Sequence, residues 1–307
     1  MQGTTVMLKM AVLAKQVPDT KHVVGDVMKP DGTLNRAKLP AIFNPEDLQA
    51  LELALRIKDM VGGHVTLFTM GPVRAVEILR DALARGADAA VLVTDRALAG
   101  SDTLATSIAL AAAVRKIAPL DLVLAGRQAI DGDTAQTGPQ TAQKLGYPQV
   151  TYVESVKEAT NHKITFFRRL GRHAETIESP MPCFVTVSSG APEARPMRAK
   201  RLFKYRRARV VGELRIKLEE AGLKGEELGA QLAAQCKELE AQGLLIPTWG
   251  IDDLGIDAAT VGLSGSPTKV HKCENVVLKS GEFKKVEPKE ADLRALIEEL
   301  VHDHILG

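Results

Sequence analysis

Through the first 150 residues, short aliphatic or β-branched runs alternate with Ala-rich segments whose apolar residues recur at helical spacing. A strand, a helix and a second strand of the same sense make a crossover unit, so a series of them commits the chain to a parallel sheet covered by helices. Residues 9–17 read as the first strand. Residues 46–60 follow as a helix, with Leu48, Leu51, Leu55 and Ile57 among charges, and Gly62-Gly63 stops it. Strands are expected at 64–69, 89–94 and 121–125, and helices at 73–85, 102–116 and 137–145. The expected fold class is α/β, a doubly wound, mainly parallel sheet.

Beyond residue 148 the rhythm changes. Four strand-like runs, at 149–156, 163–168, 173–177 and 183–188, are separated by polar turns and read as an antiparallel addition to the sheet. Residues 226–242 form a polar amphipathic helix, 243–268 an irregular Gly/Pro-rich stretch, and 289–305 a final helix. Residues 195–209 carry eight positive and no negative charges, although the whole chain is only +2. Such a strip suits an acidic protein partner. A nucleic acid is the competing reading, because Phe203 and Tyr205 are interleaved with the cations.

With 307 residues, 45% of them apolar and 25% charged, the chain has enough material for a sizeable core and is unlike disordered or fibrous sequences. Its longest uncharged apolar stretch, 103–114, falls far short of the roughly 18 residues a membrane span needs. No secretory signal is visible, so the cytoplasm is the expected location, an organelle matrix after processing being the variant. Cys183, Cys236 and Cys273 show no CxxC spacing, and the seven histidines are scattered. Neither disulfides nor a metal site is expected.

In an open parallel sheet, ligands sit beyond the carboxyl ends of the strands. Four stretches fall there: KQVPDT at 15–20, NPED at 44–47, TMGP at 69–72 and GRQAIDGDTAQTG at 126–138. In the last, Gly126, Ala129, Gly132, Ala135 and Gly138 let backbone approach a ligand. Thr134, Gln136 and Thr137 offer donors at a helix start, an arrangement that holds pyrophosphate. Arg127 adds positive charge. Asp131 and Asp133 would repel a phosphate, which leaves them ribose hydroxyls or the loop itself as partners. Bland readings stand beside each: a capped βα loop, Asn44 as N-cap with Pro45 at N1, Met70 as packing, and Asp102 as cap of the helix that also carries Thr106. The G-x-G-x-x-G, P-loop, H-E-x-x-H and G-x-S-x-G motifs are absent.

Together, AKQVPDT at 14–20, NPED, TMGP and above all AGRQAIDGDTAQTGPQTAQKLGYP at 125–148 resemble the beta subunit of electron-transfer flavoproteins, over nearly the whole chain. The resemblance implies a Rossmann-like, adenine-nucleotide-binding α/β domain at 1–210. Residues 211–307 would then form a helical extension and a C-terminal arm around an alpha subunit that carries its own FAD. In simple members the beta-subunit site holds structural AMP. In electron-bifurcating members it holds a second FAD that takes electrons from NADH and divides them between a flavin dehydrogenase and a low-potential acceptor such as ferredoxin.

KQVPDT, DGDTAQ and GSDTLATS at 100–107 look like the bifurcating branch, where small residues leave room for the extra phosphate. The residues that the resemblance assigns to the cofactor are Leu13, Ala14, Lys15, Asn44, Asp47, Thr69, Met70, Asp102, Thr103, Thr106, Gly126, Arg127, Gln128, Ala129, Asp131, Gly132, Asp133, Thr134, Ala135, Gln136 and Thr137. No catalytic residue is assigned, since the flavin would do the chemistry, and the chain is expected to serve as a redox subunit of a complex. Two departures stand out. Residues 193–201 are basic and lack the Leu-centred pattern by which the family meets acyl-CoA dehydrogenases, and the helical stretch at 213–243 is longer than in short beta subunits. An adenine-nucleotide hydrolase-like enzyme is a second rival, but KQVPDT replaces its Ser/Gly-rich loop.

Overall fold

The structure is a computed structural model that describes residues 7–19, 40–160, 162–269 and 285–306. Thr20 and Cys273 lie outside them. The chain divides into two compact units, one ending at Lys269 and one beginning at Val270.

The first unit opens with β1 (Leu8–Leu13), β2 (Gln16–Pro18) and β3 (Ala41–Phe43), then α1 (Pro45–Val61), β4 (Gly63–Met70), α2 (Val76–Arg85) and β5 (Ala89–Val93). It continues through α3 (Thr103–Lys116), β6 (Leu122–Gly126), α4 (Thr137–Leu145), β7 (Gln149–Ala159), β8 (Lys163–Leu170), β9 (His173–Pro180) and β10 (Cys183–Val187). The helices α5 (Ala199–Tyr205), α6 (Val211–Glu220) and α7 (Gly225–Ala241) follow, then β11 (Thr248–Trp249) and the single turns α8 (Ile251–Leu254) and α9 (Gly262–Gly265). In the second unit, α10 spans Glu290–His302.

Nine strands make one sheet in the order β11-β5-β4-β1-β6-β10-β7-β8-β9. It is parallel from β11 to β7, and β8 and β9 are antiparallel additions. Because side chains alternate along a strand, β1 feeds both faces. Met10 and Val12 join Leu51 and Ala54 of α1 and Leu79 of α2, while Ala11 and Leu13 join Ala109 and Ala113 of α3 and Ala142 of α4. Helices therefore cover both faces, as the doubly wound reading expects.

Three expectations are corrected. The first strand does not run from 9 to 17: β1 stops at Leu13, and Gln16–Pro18 turns away to pair with β3 in a separate two-stranded sheet. The run at 183–188 does not join the antiparallel addition. β10 inserts parallel between β6 and β7, with Phe184 opposite Val123 and Val185 opposite Val150. All five of its residues are buried, the mark of a strand covered on both faces, and such a strand has no alternation to reveal its neighbours. Burial also pushes the Cys183 thiol up to about 11, so it stays protonated at neutral pH. Finally, the irregular stretch 243–268 contributes an edge strand, β11, beside β5.

The basic run is partly spent inside the fold. Arg195 bonds Glu52 and Asp59, each at 2.8 Å, and Arg201 donates to the carbonyls of Leu83, at 2.7 Å, and Ala87, which anchors α5 on α2. The α6–α7 pair has its own small core of Leu214, Leu218 and Leu232, and Arg80 ties it back through Glu213 at 3.0 Å. Phe184, fully buried between β6 and α4, tests the inserted strand. Phe184→Ala is expected to cost about 3–5 kcal/mol of unfolding free energy in urea titration.

Candidate functional site

β1 lies between β4 and β6, so the chain leaves its neighbours in opposite directions and a crevice opens at the carboxyl ends of β1 and β6. The first turn of α1 closes its floor. Pro45 suits that turn because it has no amide to satisfy, and Glu46 and Asp47 complement the positive end of the helix dipole. Asn44 stands at the cap position yet makes no capping bond. Its amide instead donates to the Gln128 carbonyl at 2.8 Å and its oxygen accepts from the Ile130 amide at 3.1 Å.

Glu46 accepts from the Gln128 amide at 3.0 Å and from Arg127 Nη2 at 2.9 Å. Asp47 spans the strand ends: one oxygen accepts from the Lys15 amide at 2.9 Å, the other from the Gly126 amide at 2.8 Å. Gly126 is required here. A Cβ on it would lie 2.5 Å from Asp47 Oδ1 and 2.7 Å from the Asp47 nitrogen. NPED is thus the clamp of the loop that follows β6, and capping alone does not explain it.

Both acids of the loop have partners, one of them a cation. Asp131 pairs with Lys15 Nζ at 2.6 Å, and Asp133 accepts from Gln128 Nε2 at 3.0 Å. The Ala129 carbonyl takes the Asp133 amide at 2.9 Å. Asp133 and Ala135 hold left-handed backbone, with φ of 47° and 52°, a conformation costly for residues with a Cβ and concentrated at functional loops. Gly132 is exposed, and a Cβ there would meet nothing within 4 Å. α4 then begins at Thr137 with neither a side-chain cap nor an acidic residue in its first turn, which leaves its amides and dipole to an anion. Gln136, just before it, accepts from Thr103 Oγ1 at 3.1 Å and joins the start of α3 to the loop.

Leu13, Ala14, Lys15, Asn44, Asp47 and the residues from Gly126 to Thr137 therefore gather at one crevice, with Thr103 at its side. Asp102 is drawn elsewhere: its carboxylate accepts from the amides of Ala105 and Thr268, capping α3 and fastening the segment after α9. Partial desolvation opposes its ionisation, but those backbone donors hold its carboxyl below the ordinary range. Thr69 and Met70 end β4. Thr69 is fully buried with an unpartnered hydroxyl, and Met70 packs near Phe68 and Trp249. Among the described residues, the side chains of Thr106 and Thr134 make no hydrogen bond to the crevice. Glu46 is the residue that motif reading passed over. Its signal was present in NPED, two acids at a helix start, but its partners lie some 80 positions away.

Burial pushes the Asp47 carboxyl up to about 7, against the Lys15 and Gly126 amides and Asn44, with Glu46 adding repulsion. The folded chain thus holds this proton more tightly than the unfolded one. The stability it contributes is full below about 3.8, the ordinary value, and is lost as pH rises through about 7. Asp47→Asn removes that titration while adding a pH-independent cost where its NH₂ meets a backbone donor. The difference in unfolding free energy, wild type minus variant, is expected to fall by about 1.4 kcal/mol per pH unit across this window, read by urea denaturation.

The family model described as Electron transfer flavoprotein domain matches residues 31–203. Electron transfer flavoprotein subunit beta of Clostridium acetobutylicum is 42% identical over 265 residues, 86% of this chain and 87% of that one. The caffeyl-CoA reductase-Etf complex subunit CarD of Acetobacterium woodii is 40% identical over 275 residues, covering 89% and 90%. The acryloyl-CoA reductase electron transfer subunit gamma of Anaerotignum propionicum is 36% identical over 310 residues, covering 97% and 100%. With a clamped loop at the switch point of a doubly wound sheet and kinship over almost its full length, this chain belongs to the electron transfer flavoprotein family as a beta subunit.

Proposed function

We propose that the crevice holds an adenine dinucleotide, FAD, and that with an alpha subunit the chain takes electrons from NADH and divides them between a flavin dehydrogenase and a low-potential acceptor such as ferredoxin. The observation that carries this reading is the loop from Gly126 to Thr137. Its acids are already paired, Gly132 borders open space, and the first turn of α4 offers uncapped amides. The residues present fit a diphosphate. AMP, with one phosphate fewer, uses less of that opening.

In this reading Arg127, Thr134, Gln136 and Thr137 hold the phosphates, while Leu13, Ala14, Thr69 and Met70 border the adenosine end. Lys15 keeps Asp131 from repelling the ligand. Thr103 orients Gln136, and Asp47 fixes the spacing of the strand ends on which the whole crevice is mounted. When bound, the flavin supplies acceptance of an electron pair and release of single electrons. The relatives named as subunits of caffeyl-CoA and acryloyl-CoA reductase assemblies support a reductase or dehydrogenase partner.

Partner binding has a second support in α10. Leu293, Ile297 and Val301 recur every four residues, forming one stripe, and are 46–55% exposed. An exposed apolar stripe on a helix that also carries Glu290, Asp292, Arg294, Glu298 and Glu299 suits burial against another subunit. No described helix is long and apolar enough to cross a membrane.

The nucleotide content of the co-expressed heterodimer, released by denaturation, tests the reading: two FAD and no AMP are expected, and one FAD with one AMP would replace it by a single-electron shuttle. Gly132→Glu introduces bulk and charge where the fold has space, so it is expected to lose the beta-subunit nucleotide with an unchanged melting temperature of the stripped protein. Ile297→Glu is expected to abolish co-purification of the alpha subunit while the circular dichroism spectrum of the chain is unchanged.

A further inference from the structure

Tyr152 has a backbone φ of 60°, left-handed geometry that a bulky side chain rarely adopts. It stands where the pairing of β7 with β10 slips. Val150 faces Val185 and Val153 faces Val187, so Thr151 and Tyr152 together oppose Thr186. The Tyr152 amide donates to Thr186 Oγ1 at 3.3 Å. Such bulges break the alternation of a strand and re-aim one side chain. Glycine would take this backbone conformation without strain, yet the chain carries a tyrosine there, 36% exposed and outside the apolar core.

The re-aimed ring meets Arg127. The guanidinium carbon lies 5.7 Å from the ring centre, within range of cation–π attraction. On its other side Arg127 gives Nη2 and Nε to Glu46, at 2.9 and 3.2 Å, and its own amide bonds the Val187 carbonyl at 2.8 Å. A carboxylate at the edge and an aromatic face together remove the freedom of a long side chain. Glu46 takes Nε and Nη2, and the Tyr152 phenol adds a polar contact to the same guanidinium, so carboxylate and tyrosine together favour its charged form.

We propose that Tyr152 is a positioning residue of the crevice: the strained bulge between β7 and β10 exists to hold the Arg127 guanidinium against Glu46, with its remaining donors fixed for the anionic diphosphate of the bound nucleotide. This rests on the adenine-nucleotide reading above. It places a cost in the backbone of β7 and its return in the geometry of a side chain on the neighbouring loop, so stability and binding should respond in opposite senses to one substitution.

The test uses the heterodimer stripped of nucleotide and titrated with FAD and with AMP, as wild type, Tyr152→Phe and Tyr152→Gly, each with Arg127 intact and with Arg127→Met. Tyr152→Phe keeps the ring but loses the phenol contact to the guanidinium, and is expected to bind more tightly than Tyr152→Gly. Tyr152→Gly is expected to weaken nucleotide binding about tenfold while the melting temperature of the stripped protein stays level or rises. With Arg127→Met already present, Tyr152→Gly should cost nothing more. Wild-type affinity in Tyr152→Gly, an equal loss in the Arg127→Met background, or a fall in melting temperature that accounts for the loss would overturn the inference alone. A wild-type heterodimer that takes up neither nucleotide beyond the alpha-subunit FAD would overturn the adenine-nucleotide reading, and this inference with it.

Discussion

One carboxylate holds the crevice open. Where β1 and β6 end side by side, their last amides have no further strand to bond, and such groups are costly to bury unpaired. Asp47 takes both, one on each oxygen, and so sets the distance between the two strand ends. Everything that follows β6 is measured from that point. Gly126 has no room for a side chain because Asp47 and Glu46 press against it, and the next residues are caught by Glu46 and Asn44. The helix that supplies these groups is packed into the core through Leu51, Leu53 and Ala54, so the loop inherits the rigidity of the sheet.

The electrostatic arrangement follows the same logic. A phosphate site needs positive potential, yet four acids lie within or beside this loop. Two of them, Glu46 and Asp47, face backbone amides and Arg127, and the other two, Asp131 and Asp133, are engaged by Lys15 and Gln128. The helix dipole of α4 is left without a competing side-chain acid. The loop thus uses negative charge as scaffolding and keeps its uncommitted donors for a ligand.

What could be read in the sequence was what is encoded locally. The alternation of strand and helix, the bounds of α4 and the Gly-rich loop after β6 all follow from patterns within a dozen residues. Strand orientation is not encoded in that way. Residues 183–187 are apolar but for Thr186 and read the same in an antiparallel meander as in the middle of a parallel sheet, and it is their parallel register with β6 and β7 that distinguishes the two. Asn44 looked like a cap because caps are Asn. Its real partners, Gln128 and Ile130, are more than 80 positions on, and no spacing rule connects them. Tyr152 gave no signal at all, since left-handed backbone at a tyrosine is a product of the bulge and not of the residue.

The place of β10 has a consequence for how the molecule is made. β6 is bonded on one side to β1, but its other partner is not β7, the next strand along the chain; it is a segment that begins 57 residues after Gly126. Until that segment is synthesised, β6 presents a bare edge, and β7, β8 and β9 form a ribbon with nowhere to attach. A bare parallel edge is an invitation to pair with another chain. The crevice itself, whose loop amide at Arg127 bonds Val187, is therefore finished late, by the insertion of one short strand between two pieces that already exist.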